Sequence, residues 1–483
     1  MISDLHSAMS ADDSADFDVV VVGAGPAGIS LALELARSSL KIALLEAGGL
    51  DDPGAEALEL FSGDNVGLPY ALASSRQRFF GGTSNHWGGW CRPLDPYDLE
   101  PPDRISLSGW PFSFSELEPW YQAAHPVLEM KDLTYDADGQ VAEDDLLPAD
   151  STSGFVNRLF RFSPPTRFGA VYRPHLSASS NVHVFLHAPV VELVHENGQV
   201  QSCRVRGIDG KDYQFTSKVV VLAMGGLEVP RLLLHTATES ANALGNDSDL
   251  LGRCFMEHYG YIPGFIMAAP RLRYYRHSGP EADQMVVLAP RPELLAREKI
   301  LNSCAILSAV EPDTHWSPEV LDTPGLVPEL LGDAWRYRVT LINESSPYRD
   351  SRVSLQEERD ALGLRRIRLD WRINQADFES IETVIRSLSA WLGRLGLGRV
   401  QFTRPISPET ITHFGTGMHH MGTTRMSLSP RDGVVDPDCR VHGTDNLYVA
   451  SSSVFPTSGY ANPTLTIVAL SLRLAAHLKE TLG

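Results

Sequence analysis

Six residues near the start of the chain restrict its fold more than any other feature: Gly23-Ala-Gly-Pro-Ala-Gly28. Before them lies Phe17 to Val22, a short β-branched run with the pattern of a buried strand. After them, Ile29 to Leu40 reads as a helix and Lys41 to Leu45 as a second strand ending at Glu46. Glycines 23, 25 and 28 in this strand–turn–helix–strand unit match the dinucleotide fingerprint. The first permits a tight turn, the second lets backbone approach a pyrophosphate, and the third lets helix and strand pack closely. The helix N-terminus then offers free N–H groups and a positive dipole end to the anion. Glu46, 18 residues beyond Gly28, is placed to accept hydrogen bonds from a ribose diol.

At 483 residues the chain is long for one core, so two lobes are expected. Residues 1–15 are rich in Ser, Ala and Asp and read as a disordered lead-in without signal-peptide character, which implies a cytoplasmic chain. Residues 16–254 make the first part of the nucleotide-binding domain, with a polar surface loop near 131–152. Within it, Ser113 with Glu116, or Ser115 with Glu118, has capping-box spacing for a helix running toward Met130. Val182 to Phe185, Val190 to Val194 and Lys218 to Ala223 read as strands, and Gln199 to Tyr213 as a hairpin.

The texture changes over residues 255–404. Strand-like pieces at Gly260 to Ala268, Arg336 to Ile342 and Leu364 to Trp371 precede an amphipathic stretch, Gln375 to Leu395. This predicts a second, α+β domain built on an antiparallel sheet, with the Pro- and acid-rich residues 311–335 as a loop or lid. Residues 405–483 return to the first domain through a strand at Leu447 to Ala450 and a last helix from about Pro463. The fold class is therefore α/β with a discontinuous Rossmann-type domain.

A net charge of −19 argues against a nucleic-acid partner and against docking on anionic membranes. No apolar run approaches the roughly 18 residues of a membrane helix. The five cysteines are odd in number and widely spaced, so neither a disulfide framework nor a zinc site is indicated, and no metal site is expected.

Three further segments separate one dinucleotide from another. Arg78-Phe-Phe-Gly-Gly-Thr-Ser-Asn-His-Trp-Gly-Gly-Trp90 resembles the flavin-covering segment of the glucose–methanol–choline (GMC) oxidoreductases. Val219-Val-Val-Leu-Ala-Met-Gly-Gly-Leu-Glu-Val-Pro-Arg231 resembles that family's second nucleotide-contacting strand and turn. The C-terminal block runs His419-His-Met-Gly-Thr-Thr-Arg-Met426, Asn446 to Ser453, and Phe455 to Thr466, which contains Tyr460-Ala-Asn-Pro-Thr464. The order of these motifs resembles the family over nearly the whole chain, and most closely its pyranose oxidase and C-glycoside oxidase branch.

The resemblance implies FAD as cofactor and an alcohol, a sugar or glycoside, as substrate, with oxygen or a quinone-like compound as electron acceptor. It places the proton-accepting role on His419 and the oxygen-holding role on Asn462; a neutral imidazole suits proton abstraction near neutral pH. By the same resemblance Gly82, Thr83, Asn85, His86 and Trp87 bind the FAD, the Val191 backbone contacts its adenine, Ala450 and Ser451 pass its pyrophosphate and ring, and the Pro463 and Thr464 backbone meets the flavin pyrimidine edge. In covalent pyranose oxidases a His in a similar Thr-His-Trp setting is bonded to the flavin; Asn85 replaces that Thr here, so non-covalent FAD is the expectation and a His86 bond the alternative. Asn462 could instead cap the last helix, with Pro463 at its first position. His235, His258 and His420 read as structural. Alternatives of function are a GMC-fold lyase with redox-silent FAD, an amino-sugar or non-sugar alcohol dehydrogenase, and an NAD enzyme. Homo-oligomerisation is left open.

Overall fold

The computed structural model describes residues 1–10, 14–100, 106–131, 134–148, 154–239, 244–268, 271–272, 284–310, 335–402, 406 and 416–483. The fingerprint unit takes the expected form. Ser14–Val22 lies between Ile42–Leu45 and Asp212–Leu222, parallel to both, with Val19 to Val22 in register with Ile42 to Leu45 and with Val219 to Leu222. Neighbouring elements bury both faces of these strands, which is why they read as unbroken apolar runs. From one edge the sheet runs Ile2–Asp4, Val182–Leu186, Ile42–Leu45, Ser14–Val22, Asp212–Leu222, Gln199–Arg206 and Val190–Glu196.

Leu447–Val449 adds a parallel strand against Val220 to Leu222. That pairing carries the C-terminal block to the same end of the sheet as the glycine turn. The last helix, Thr464–Leu482, packs on the fingerprint helix Pro26–Leu35 and on Phe114–Val127. It is pinned by Lys479 to Glu34 at 2.6 Å and by Thr466 to Tyr121 at 2.9 Å. Of the two capping-box pairs the sequence offers, Ser113 with Glu116 is the one that forms.

The second sheet is antiparallel throughout, in the order Gly398–Phe402, Tyr259–Ala268, Trp335–Asn343, Ser303–Ala309, Gln284–Pro290, Phe155–Phe162, Trp90–Cys91. Its core includes the helix Gln375–Arg394, whose Ile381, Val384, Ile385, Leu388, Trp391 and Leu392 recur at helical spacing and are buried. A small third sheet joins Arg352–Arg359, Arg365–Asp370 and Gly63–Asn65.

Several expectations are corrected. The N-terminus is not a disordered lead-in: Ile2–Asp4 pairs in parallel with Val184 to Leu186, Leu5 is buried, and the terminal amine donates to the Val182 carbonyl at 2.9 Å. A three-residue strand is too short to leave a periodic signal. The second sheet also recruits Trp90–Cys91 and Phe155–Phe162, so it is not confined to residues 255–404. The segment 134–148 is no free surface loop, because Tyr135, Ala137 and Leu147 are buried in it. The lid expectation at 311–335 falls outside the described residues except for Trp335, which opens a strand.

Candidate active site

A cavity of about 630 Å³ runs from the glycine turn to the face of the second sheet, a size within the roughly 300–1,000 Å³ of cofactor and ligand sites. At the nucleotide end lie Gly23, Gly25, Glu46, Val190 and Met224 to Gly226. Each fingerprint glycine has its own steric reason. Gly23 has φ +105°, a conformation that disfavours any side chain. Gly28 lies behind the cavity wall, where a Cβ would stand 1.9 Å from the Gly23 carbonyl oxygen. Gly25 faces open space, with nothing within 4 Å of where its Cβ would be. An open concavity beside a helix N-terminus, at a glycine with an ordinary backbone conformation and nothing against it, fits a pyrophosphate.

Glu46 is buried and lines the cavity, with Oε2 accepting from Ala24 N at 3.1 Å and Oε1 from Gly48 N at 2.8 Å. Burial pushes its carboxyl pKa up while these amides and the nearby Arg78 pull it back. Beyond it the wall holds an ion network that sequence reasoning missed. Arg76 and Arg231 pair with Glu228, and Arg231 reaches Asp360 at 2.9 Å. Glu228 and Arg231 sit inside the quoted turn segment, but Arg76 and Asp360 come from distant stretches that carry no motif.

At the flavin end, Gly82, Thr83, His86, Trp87, Ala450, Ser451, Pro463 and Thr464 all line the cavity. His86 lies with Nδ1 2.9 Å from Gln77 Nε2, and Trp87 donates to the Thr166 carbonyl. Two other residues named from the resemblance, Val191 and Asn85, do not line the cavity. Val191 points away, and its neighbour Val190 supplies the wall; along a strand, adjacent residues face opposite ways. Asn85 is turned from the cavity and donates to the Phe80 carbonyl at 3.1 Å, holding the turn that carries His86.

The structure brings His419 and Asn462 together, with His419 Nε2 3.3 Å from Asn462 Nδ2. Asn462 does not cap the last helix. That helix begins at Thr464, Pro463 occupies the capping position and Ile467 N donates to its carbonyl. The Asn462 side chain is therefore available to the cavity. His419 sits in a fixed loop: Met418 before it has φ +58°, and a Cβ on Gly417 would stand 2.5 Å from His419 Nδ1. Its backbone N–H donates to both carboxyl oxygens of Glu257, at 2.8 and 2.9 Å, and Glu257 also accepts from Tyr70 at 2.9 Å.

The electrostatics keep the imidazoles neutral. Burial, with the neighbouring His258 and His420, holds the His419 pKa well below the usual histidine value. His420 lies behind it against Ser75, with its pKa lowered to about 3 by burial and Arg76, as suits the structural role expected of it. Glu257 is pushed up to about 8 by burial. His258, read from the sequence as structural, in fact lines the cavity beside His419. Among the described residues no group of His, Cys, Asp and Glu could hold a metal. All five cysteines are free and buried. No described helix is long and apolar enough to cross a membrane.

The chain is similar to known proteins in sequence and in fold. Residues 347–471 match the GMC oxidoreductase family model, and residues 18–240 match that of the FAD dependent oxidoreductases. The chain is 25% identical to 6'''-hydroxyparomomycin C oxidase of Streptomyces lividus over 96% of its own length and 92% of that protein's. It is 33% identical to C-glycoside 3-oxidase of Arthrobacter globiformis, over 28% of this chain and 25% of the relative. In fold it resembles pyridoxine 4-oxidase from Mesorbium loti, with TM-score 0.60 and 20% identity over 95% of this chain and 98% of that one. The glycine fingerprint lies in the stretch matched to the FAD dependent oxidoreductases and the C-terminal block in the stretch matched to the GMC oxidoreductases, so the chain is similar to FAD-dependent oxidoreductases of the GMC type.

Proposed function

We propose that this enzyme oxidises a secondary hydroxyl of a sugar or glycoside to a carbonyl, with His419 as the proton acceptor and Asn462 holding the substrate oxygen. The observation that carries the reading is the approach of His419 Nε2 to Asn462 Nδ2, 3.3 Å apart on the wall of the cavity that begins at the dinucleotide turn. Bound FAD supplies the hydride acceptor. The residues of the chain do the rest. A substrate hydroxyl between the two side chains gives its proton to His419 Nε2, and the Asn462 amide donates to the oxygen as negative charge develops on it. The electron pair of the C–H bond leaves with the hydride, and the carbonyl forms. The lowered pKa of the half-buried His419 keeps its imidazole neutral, with a lone pair to accept a proton at pH 7.

Supporting the substrate class, the relatives are named as oxidases of an aminoglycoside and a C-glycoside. The cavity wall also includes Trp90, whose ring packs against Phe160 and Phe162 at 5.5 Å and offers an apolar surface suited to the C–H face of a sugar. FAD is held non-covalently in this reading, and oxygen or a quinone-like compound reoxidises it.

The test is anaerobic addition of neutral sugars, O- and C-glycosides, amino sugars and small alcohols, following loss of the flavin band at about 450 nm. Bleaching by a glycoside is expected. Turnover of a compound without bleaching, or bleaching by small alcohols alone, contradicts the proposal. Acid precipitation releases the yellow colour if His86 makes no covalent bond.

A further inference from the structure

We infer that His258 is a positioning residue that decides which nitrogen of His419 carries the proton. The inference rests on the reading of His419 as the proton acceptor, and its argument uses atoms outside the His419–Asn462 pair.

The local backbone brings the two histidines together. Met256 bridges Met421, Tyr259 bridges Thr416, and Gly417 N donates to the His258 carbonyl at 2.9 Å. Residues 256–259 and 416–421 therefore run antiparallel, with the strand Tyr259–Ala268 anchoring one side. The two rings lie 5.0 Å apart at an interplanar angle of 83°.

The proton assignment follows from one carbonyl. His258 Nε2 is 2.8 Å from the Gly459 carbonyl oxygen. A carbonyl only accepts, so Nε2 carries the hydrogen. In a neutral imidazole Nδ1 then presents its lone pair, and that atom is 2.9 Å from His419 Nδ1. His419 Nδ1 must therefore be the N–H, which leaves His419 Nε2 bare. Nε2 is the atom that faces Asn462 Nδ2, a donor. The opposite assignment sets the lone pair of His258 Nε2 against the lone pairs of the Gly459 oxygen in a buried site, an unmet acceptor pair that costs free energy. A doubly protonated His258 is excluded by burial, which lowers its pKa to about 4.

The device also serves the product of proton transfer. Once His419 accepts the hydroxyl proton, its Nδ1–H bond to His258 becomes charge-assisted and stronger. The other ionisable groups around the pair fit this picture. Glu257 holds the His419 backbone and Tyr70. His420 follows in sequence with Arg76 beyond it, and Glu344 accepts from Gly459 N at 3.3 Å on the far side. Among the described residues, none of these is bonded to the His419 ring nitrogens.

Three variants test the inference with two readouts. His258→Leu removes the acceptor, His258→Asn keeps an acceptor oxygen near the Nδ1 position, and His419→Ala controls the underlying reading. In anaerobic rapid mixing, His258→Leu is expected to slow flavin reduction about tenfold or more with little change in substrate affinity, because the Nδ1–H form of His419 loses its partner. His258→Asn should recover most of that loss; equal loss in both variants overturns the inference. The second readout is independent of turnover: long-range ¹H–¹⁵N spectra of [¹⁵N]histidine-labelled holoenzyme, with His419 assigned by its absence in His419→Ala. A pyridine-type Nε2 and pyrrole-type Nδ1 are expected, and a pyrrole-type Nε2 overturns the inference even if His258→Leu does not fold. Fast reduction in His419→Ala would instead refute the proton-acceptor reading and leave the tautomer result to be judged by the spectra alone.

Discussion

Alanine at Gly25 and alanine at Gly28 should fail in opposite ways, although both alter the same fingerprint. At Gly28 the added Cβ falls 1.9 Å from the Gly23 carbonyl oxygen and 3.1 Å from its carbon. That oxygen belongs to a residue already held at φ +105° and hydrogen-bonded through its N–H to Leu45 at 2.8 Å. The backbone must shift by more than an ångström, and overpacking of this kind costs about 1–3 kcal/mol or more. At Gly25, φ is −84° and ψ −171°, which any residue adopts, and no atom lies within 4 Å. Apoprotein carrying Gly25→Ala should thus be unchanged or gain up to about 1 kcal/mol through a stiffer unfolded chain. Its methyl instead occupies the space assigned to the pyrophosphate, and FAD affinity should fall at least about tenfold, or 1.4 kcal/mol. Thermal melts of flavin-free protein and fluorescence titrations with FAD separate the two effects. Wild-type FAD affinity in Gly25→Ala, or an unchanged melt in Gly28→Ala, would refute the steric reasoning.

Three further outcomes are expected. Asp360→Asn removes one of the two carboxylates paired with Arg231, Glu228 remaining, and should destabilise the holoenzyme by about 1–3 kcal/mol in chemical denaturation. Gly417→Ala drives a Cβ into the His419 ring, so flavin reduction should slow while FAD content, read from absorbance, stays near stoichiometric. For pH, the folded pKa of His420 lies at about 3 against an unfolded value near 6.5. The folded state binds fewer protons between these values, so this residue's contribution is full above about pH 6.5 and is lost as pH falls toward 3. His420→Gln should therefore flatten the acid-side fall of Tm, by no more than about 1.4 kcal/mol per pH unit.

Much of this architecture was legible because its elements are long or chemically marked. The fingerprint, the capping box at Ser113 and the amphipathic run of Gln375–Arg394 each announce their structure locally, and each forms. The misreadings have local causes. Ile2–Asp4 is three residues long, and its pairing with Val184 to Leu186 is a tertiary event. Trp90–Cys91 and Phe155–Phe162 join a sheet whose other strands begin only at Tyr259, and hydropathy carries no record of partner choice. Within the site, residues fixed by motif spacing sit at the cavity, whereas Val191 missed it by one strand position and Asn85 turned inward. His258 was read as structural because no sequence pattern links it to His419. Only the antiparallel pairing of 256–259 with 416–421 does that.

The central claim, that His419 takes the substrate proton, is tested most directly by anaerobic reduction of the bound flavin in His419→Ala. The expected result is full FAD occupancy with reduction slowed by about 10²-fold or more, and His419→Gln no better, because an amide does not accept the proton. Reduction at a near wild-type rate with FAD bound would contradict the account and assign the proton to another group.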